Sequence, residues 1–336
     1  MDFLKDIVAE IGGEYAKLAS DIDEQEVFVD TGSYMLNALV SGSIFGGVSA
    51  NKITTFSGLQ GSGKTYYSLA VVKNFLDNNP DAYCLYFDTE AAITKKMLES
   101  KAIDLTRVVV LNVVTIEEFR TKALKAVEIY LKSKKDDRRP CMFVLDSLGM
   151  LSTNKEIGDT LAEKDVKDMT KASLIKATFR MLTLKLGQAG IPMIVTNHVY
   201  ANVGGYGPTT VQSGGSGLLY SASTIVELSK SKEKEGTDVV GVIIKAKTFK
   251  SRLSKENQEV EVRLFYDERG LDRYYGLLQL GEKYGIIEKS GHRYLFDGKA
   301  YYEKAILQEP EKFFTPEILE QLDNAAQLEF SYGQSK

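Results

Sequence analysis

Gly58-Leu59-Gln60-Gly61-Ser62-Gly63-Lys64-Thr65 decides how this chain of 336 residues is to be read. The stretch fits the phosphate-binding loop G-x-x-x-x-G-K-[ST]; it follows the apolar run 52–56 and opens an amphipathic segment over 65–77. Strand, glycine turn and helix in that order let backbone N–H groups wrap a phosphate while the helix N-terminus adds positive potential. Gly58, Gly61, Ser62, Gly63, Lys64, Thr65 and Tyr66 form the candidate nucleotide-contacting set. Lys64 is placed to reach the β and γ oxygens and Thr65 to ligate Mg²⁺, so the implied cofactors are ATP and Mg²⁺.

Working outward, apolar runs recur at 83–87, 107–111, 141–145 and 191–196. They are continuous rather than alternating, as in strands covered on both faces. Helical segments at 94–101, 116–132 and 166–188 lie between them, which predicts an α/β fold with a mostly parallel sheet and helices on both faces. Runs at 224–228, 239–247 and 259–266 follow without helices and are read as an antiparallel extension of that sheet. Residues 2–19 carry Phe3, Leu4, Ile7, Val8, Ile11, Tyr15 and Leu18 at helical spacing, and an acidic stretch from Asp21 to Glu26 follows as a linker. After Gly270 the texture changes to a helix at 277–284, a hairpin at 294–301 and a helix from Pro316. The expected division is an N-terminal helix and linker over 1–30, a core over 31–269 and a small C-terminal α/β domain over 270–336.

Composition narrows the class. With 43% hydrophobic and 26% charged residues the chain is globular, and its length allows a core of roughly 230 to 270 residues with attachments. It has no apolar run of membrane-spanning length and no signal-peptide pattern at its start, so a cytoplasmic setting without membrane contact is expected. Cys84 and Cys141 each sit in an apolar run and can build neither a disulfide framework nor a four-ligand zinc site. A net charge of −4 gives no bulk attraction for nucleic acid, so any such contact must come from local features.

Several residues gather where parallel strands end, which is where open α/β sheets bind ligands. Asp146 ends the run 141–145 and suits a second metal-side carboxylate. Asp88 and Glu90 end the run 83–87; Glu90 reads either as the base that orients an attacking water or as a cap. Asn197 and His198 end the run 191–196, and His198 reads as a nucleotide sensor or as a polar residue emerging at the surface. From Val199 to Val226 there is no Asp, Glu, Lys or Arg, while Gly204, Gly205, Gly207, Gly214, Gly215 and Gly217 fill the space with Ser and Thr. That segment reads as a surface loop or as a loop ordered by a phosphate backbone. A second segment, Ser152 to Lys164, is read as irregular and leaves the same sheet edge. Lys132, Lys134, Lys135, Arg138 and Arg139 are interrupted by Asp136 and Asp137 and read as a solvated helix end. Lys245 and Lys247 lie two apart on one strand face, either as solvated edge lysines or as a pair that meets an anion.

These residues in this order resemble the RecA family of recombinases. The resemblance takes in the phosphate loop, 36–47 (LNALVSGSIFGG), 87–93 (FDTEAAI), 145–148 (LDSL), 196–198 (TNH), 214–220 (GGSGLLY) and 244–248 (IKAKT). Within the family, 153–157 (TNKEI), 168–173 (DMTKAS) and His198 point to phage recombinases of the UvsX type. The piece 280–292 (LGEKYGIIEKSGH) is similar to the small C-terminal domain of bacterial members, and the likeness runs from about Asp30 to about Asp323. What the resemblance implies is a RecA-like ATPase core that polymerises helically on single-stranded DNA, pairs it with double-stranded DNA and exchanges strands. Mediator and single-strand-binding proteins would be further partners, in the host cytoplasm if the chain is phage-encoded.

By position, the resemblance makes Glu90 the water-activating base, Asp146 and Thr65 the metal side, and His198 the link from the γ-phosphate to the following loop. Lys245 and Lys247 would reach a neighbour's ATP, and the N-terminal helix would pack on that neighbour. DNA contact would fall to 152–164 and 201–219, with Lys155, Lys164, Gly204, Gly205, Thr209, Gly214, Gly215 and Ser216 as candidates. The second loop carries no basic residue, so Lys155, Lys164 and Lys171 are expected to add the charge. Met97 stands where bacterial members often place an aromatic against adenine, which implies softer apolar contact. A ring-forming motor or ATPase regulator with the same fold is the main rival class, and the uncharged loop after His198 speaks against it. Complete Lys64, Thr65, Glu90 and Asp146 speak against a non-hydrolysing paralogue, and no lidded acceptor pocket suggests a small-molecule phosphotransferase.

Overall fold

The computed structural model describes residues 2–11, 27–164, 166, 168–201, 210–267 and 269–333. Helix α1 (Asp2–Ile11) comes first; residues 12–26, which include the rest of the expected N-terminal helix and the acidic linker, lie outside the described residues. β1 (Phe28–Val29) and β2 (Val48–Ser49) pair antiparallel around α2 (Tyr34–Ser41). Then come β3 (Ile53–Gly58), α3 (Lys64–Asn78), β4 (Tyr83–Asp88), α4 (Lys95–Glu99), β5 (Val108–Asn112), α5 (Ile116–Lys132) and β6 (Cys141–Asp146). The chain continues through α6 (Asn154–Leu161), α7 (Lys171–Ala189), β7 (Met193–Ala201), β8 (Thr210–Gln212) and α8 (Ser216–Ser221). β9 (Thr224–Glu235), β10 (Asp238–Ser251) and β11 (Glu259–Phe265) follow. The last part holds α9 (Leu277–Lys283), β12 (Glu288–Ser290), β13 (Arg293–Phe296), β14 (Lys299–Tyr301), α10 (Glu303–Gln308) and α11 (Pro316–Phe330).

Among the described residues one sheet of nine strands runs in the order β11-β10-β9-β3-β7-β6-β4-β5, with β8 paired to β7. The central strands are parallel, and their continuous burial, every residue of β3 and β6, is the physical counterpart of the unbroken apolar runs. β9 also joins β3 in parallel, so the antiparallel extension begins at β10, one strand later than the sequence reading set it. A parallel entry needs a crossover, and α8 lies in it. β9 also runs to Glu235 rather than stopping at 228; beyond Leu228 its charged residues form a largely solvated ribbon with β10 that gives no hydrophobic signal.

Two cores cover the sheet. On one face Phe56, Tyr67, Val71, Val72, Leu228, Ile244 and Ala246 pack with Leu36 and Leu39 of α2. On the other, Phe87, Phe119, Phe143, Phe179 and Leu182 join β4, α5, β6 and α7. Each large apolar side chain taken out of water contributes about 1.5 to 3 kcal/mol before entropy is counted. From α11, Leu322, Ala325, Ala326 and Phe330 share the first core with α2, and Asp323 Oδ1 accepts from Ser43 Oγ at 2.6 Å and Ile44 N at 2.8 Å.

The segment 152–164 is not irregular: it contains α6. Thr153 Oγ1 accepts from Glu156 N at 2.9 Å, and Thr153 in turn donates to Asp168, so a T-x-x-E start nucleates a helix there. The following helix begins at Lys171 rather than 166. Cys84 and Cys141 are free and buried in β4 and β6, and burial pushes the Cys141 thiol up to about 12. Among the described residues no helix is long and apolar enough to cross a membrane.

Candidate functional site

The register of the sheet sets the site. Gly58 pairs with His198 and Asp88 with Asp146, so the ends of β3, β7, β4 and β6 form one row at the carboxyl edge. From Gly58 the chain turns through Gly61 (φ 71°) and Gly63 (φ 94°), left-handed values that cost a side-chain-bearing residue about 1 to 2 kcal/mol each. A Cβ at Gly58 would lie 2.4 Å from Ser62 Oγ and 2.5 Å from Leu228 O, so the loop closes on itself only with glycine there. Lys64 is buried, and its ammonium donates to Gly58 O at 3.0 Å and Leu59 O at 2.9 Å. Burial lowers its pKa, opposed by the Asp146 and Glu90 carboxylates.

The carboxylates across the row are individually fixed. Asp146 is buried; Oδ2 accepts from Tyr86 OH at 2.7 Å and Oδ1 from Thr196 Oγ1. Burial and the nearby carboxylate hold the Tyr86 phenol well above its ordinary pKa, so it remains a donor. Asp88 Oδ1 accepts from Glu90 N at 3.0 Å and Ala92 N at 3.3 Å, and Oδ2 from Ile93 N at 3.0 Å. Asp88 therefore anchors the turn that carries Glu90, in which Ala91 takes a left-handed φ of 52°. The capping role belongs to Asp88 and not to Glu90. Glu90 Oε1 accepts from Ser147 Oγ at 2.9 Å and lies 3.3 Å from His198 Nε2. Ser147 is held in turn, its N–H donating to Thr89 Oγ1 at 2.7 Å.

Beyond His198 the contacts are made mainly by amides and hydroxyls, with Glu227 the one carboxylate among those described. Gln212 Oε1 accepts from Ser57 Oγ at 2.9 Å and Asn197 Nδ2 at 3.3 Å, while Gln212 Nε2 donates to Glu227 at 3.4 Å. One amide thus joins β3, β7 and β9 to the returning arm of the glycine-rich segment. Sequence reading missed Gln212, and only the 199–212 pairing reveals it. Gly214 and Gly215 have φ of 81° and 73°, and a Cβ at Gly217 would lie 2.8 Å from Lys176 N. These glycines are needed for close packing on α7 and for left-handed backbone, whatever else they touch. Ser216 begins α8. Gly204, Gly205 and Thr209 lie outside the described residues.

Lys155 is paired with Asp159 at 2.8 Å within α6, Lys164 is exposed just after that helix, and Lys171 is 3.9 Å from Glu156. Lys245 and Lys247 are exposed on β10 on either side of buried Ala246. β11 places Glu261 opposite Lys245 and Glu259 opposite Lys247, and Glu259 pairs with Lys245 at 2.8 Å. Tyr66 is half-buried under Lys101, whose Nζ lies 3.4 Å from the ring centroid. With Tyr266 and Gly270 it lines an open cleft of about 910 Å³. Met97 is half-buried against the core.

The loop fits a bound phosphate with Mg²⁺. Among the described residues Ser62 Oγ is buried without a hydrogen-bond partner and the Lys64 ammonium donates only to carbonyls, while Thr65 at the start of α3 is half-buried beside them.

A family model described as the RecA N-terminal domain matches residues 3–272. The chain is similar to the recombination and repair protein of Enterobacteria phage T4, at 32% identity over 279 residues covering 82% of this chain and 69% of that protein. It is also similar to protein RecA of Cereibacter sphaeroides, 27% identical over 290 residues (84% and 79% covered). Protein RecA of Thermus aquaticus matches at 27% identity over 318 residues, covering 92% of this chain and 86% of that protein.

Proposed function

The chain belongs to the RecA family and is a RecA-type recombinase, a DNA-dependent ATPase. On that premise we propose that it binds ATP with Mg²⁺ at the 58–65 loop and hydrolyses ATP as a helical filament on single-stranded DNA, which it pairs with a homologous duplex. Mg²⁺ supplies charge neutralisation across the phosphate oxygens. Lys64 would add its buried charge at the β and γ oxygens, and Thr65 and Asp146 would hold the metal side. Glu90 would act as base: Ser147 and His198 hold Oε1, which leaves Oε2 to take a proton from water. His198 would report the state of that carboxylate to the segment after β7. DNA contact is assigned to α6 with Lys155 and Lys164 and to the 201–219 segment with Gly204, Gly205, Thr209, Gly214, Gly215 and Ser216. Lys245 and Lys247 would exchange Glu259 for a neighbouring protomer's phosphates, and α1 would pack on that neighbour. The units 1–30, 31–269 and 270–336, a cytoplasmic setting, and mediator and single-strand-binding partners complete the reading.

The observation that carries it is the Ser147–Glu90–His198 contact at the same sheet edge as Lys64 and Asp146. Glu90→Gln should bind ATP near the wild-type Kd and lose roughly 10²- to 10⁴-fold in kcat, the size of a general-base contribution. Turnover near wild type would leave Glu90 a positioning group only.

A further inference from the structure

Sequence reasoning drew attention to the lysines of β10, but the geometry points to a different lysine at the phosphate loop. We propose that Lys230 of β9 is a second phosphate-contacting cation, acting on the loop of its own protomer. β9 lies beside β3 with Leu228 opposite Gly58, and Lys230 follows two residues later, where β3 has ended and the loop turns. Side chains two apart on a strand share a face. Leu228 is buried in the core that contains Tyr67 of α3, so Lys230 projects on the α3 side, over the loop. Its ammonium lies 3.2 Å from where a Cβ at Gly61 would stand.

The cross-strand partner of Lys230 on β10 is Ile244, whose Cδ1 lies 3.0 Å from the Cβ position of Gly63. One cross-strand pair therefore covers both left-handed glycines, an apolar cap on Gly63 and a cation at Gly61. Among the described residues Lys230 forms no ion pair, unlike Lys245, which Glu259 neutralises. An ammonium with no ion pair beside a glycine turn that opens a helix favours an anion between them. Lys245 and Lys247 alternate with Ile244 and Ala246 and so occupy the opposite face. The hairpin thus divides its cations, with Lys230 toward its own loop and the β10 pair away from it.

The inference rests on the 58–65 loop being the nucleotide site, and the test separates the two. Binding of Mg·ATP to the full chain without DNA is measured by calorimetry at low salt. Lys230→Gln and Lys230→Met, the latter keeping the apolar stem, should each weaken binding roughly tenfold, the size of one lost charge-assisted hydrogen bond. Lys230→Arg should stay within about threefold, and Lys232→Gln, the next lysine on that face, within about twofold. Wild-type affinity in both Lys230→Gln and Lys230→Met, or an equal loss in Lys232→Gln, would overturn the role of Lys230. Wild-type affinity in Lys64→Ala would instead remove the nucleotide site itself. Because Lys230 acts in cis, adding Lys64→Ala protein to Lys230→Gln should not restore the binding that Lys230→Gln lost, and full recovery would also overturn the proposal.

Discussion

The two sides of the site are built from different materials. On the β4–β6 side, Asp88, Glu90 and Asp146 are carboxylates whose oxygens are held by backbone N–H groups or hydroxyls at set positions. On the β7–β9 side, Ser57, Asn197 and Gln212 are joined by neutral amides and hydroxyls, with Glu227 accepting from Gln212 at 3.4 Å, and among the described residues Asn197 Oδ1 is buried without a hydrogen-bond partner. Fixed charge suits chemistry on a phosphate, because dipoles set in advance need no reorganisation when charge develops. Neutral, incompletely satisfied amides suit a junction with two arrangements, since exchanging one such hydrogen bond for another costs about 1 kcal/mol. His198 stands between them, with its ring beside Glu90 and its carbonyl accepting from Ser213 N at 2.9 Å.

The contrast is broken most severely at Lys64, the cation that faces the charged side. Lys64→Ala should abolish detectable ATP turnover, and measurable steady-state activity would mean that the loop does not hold the reacting phosphates. The wild-type protein sharpens the same point through pH. Burial lowers the Lys64 pKa, and only the protonated form attracts phosphate, so ATP affinity should start to fall at a lower pH than for a solvated lysine, which titrates near about 10.4. An affinity flat up to that value would place Lys64 outside phosphate contact.

Next in size is the double change Lys245→Ala with Lys247→Ala. It should keep ATP binding in dilute protein yet lose most DNA-stimulated turnover, a trans contribution of several kcal/mol if the pair acts as an arginine finger does. Mixing it with Lys64→Ala protein should recover part of the activity. No recovery across mixing ratios, with co-assembly confirmed, would confine the lysines to their pairing with Glu259 and Glu261. The smallest effect is expected on the neutral side. Gln212→Ala should lower the ratio of DNA-stimulated to basal turnover about threefold to tenfold, as read in a coupled assay; an unchanged ratio would make Gln212 a packing residue and remove the contrast.

The charged side was the legible one. Gly58, Asp88, Glu90 and Asp146 stand at or just after the ends of continuous apolar runs and Lys64 opens the helix after the first, and parallel pairing brings such ends together without knowledge of any tertiary contact. Of the neutral side only Asn197 was legible, as the end of a run; Gln212 was not, because it meets Ser57 across 155 positions and carries no motif. Lys230 was hidden by register: it reads as one of several charges on a solvated ribbon until Leu228 is seen opposite Gly58. α6 could have been found from Thr153 and Glu156, spaced as a capping pair, but its helix has no buried residue and hence no apolar stripe to announce it. Glycines 214, 215 and 217 were read for phosphate contact, whereas the positive φ of Gly214 and Gly215 and the approach of Gly217 to Lys176 show a backbone and packing reason that composition alone cannot separate from binding.

Steady-state ATP hydrolysis by the wild-type chain, with and without single-stranded DNA at saturating Mg·ATP, tests most directly that this sheet edge joins hydrolysis to DNA. Tenfold or greater stimulation is expected, lost together with DNA binding when salt is raised. Equal rates with and without DNA, under conditions where DNA binding is independently confirmed, would contradict the coupling of Glu90 and His198 to the segment beyond β7.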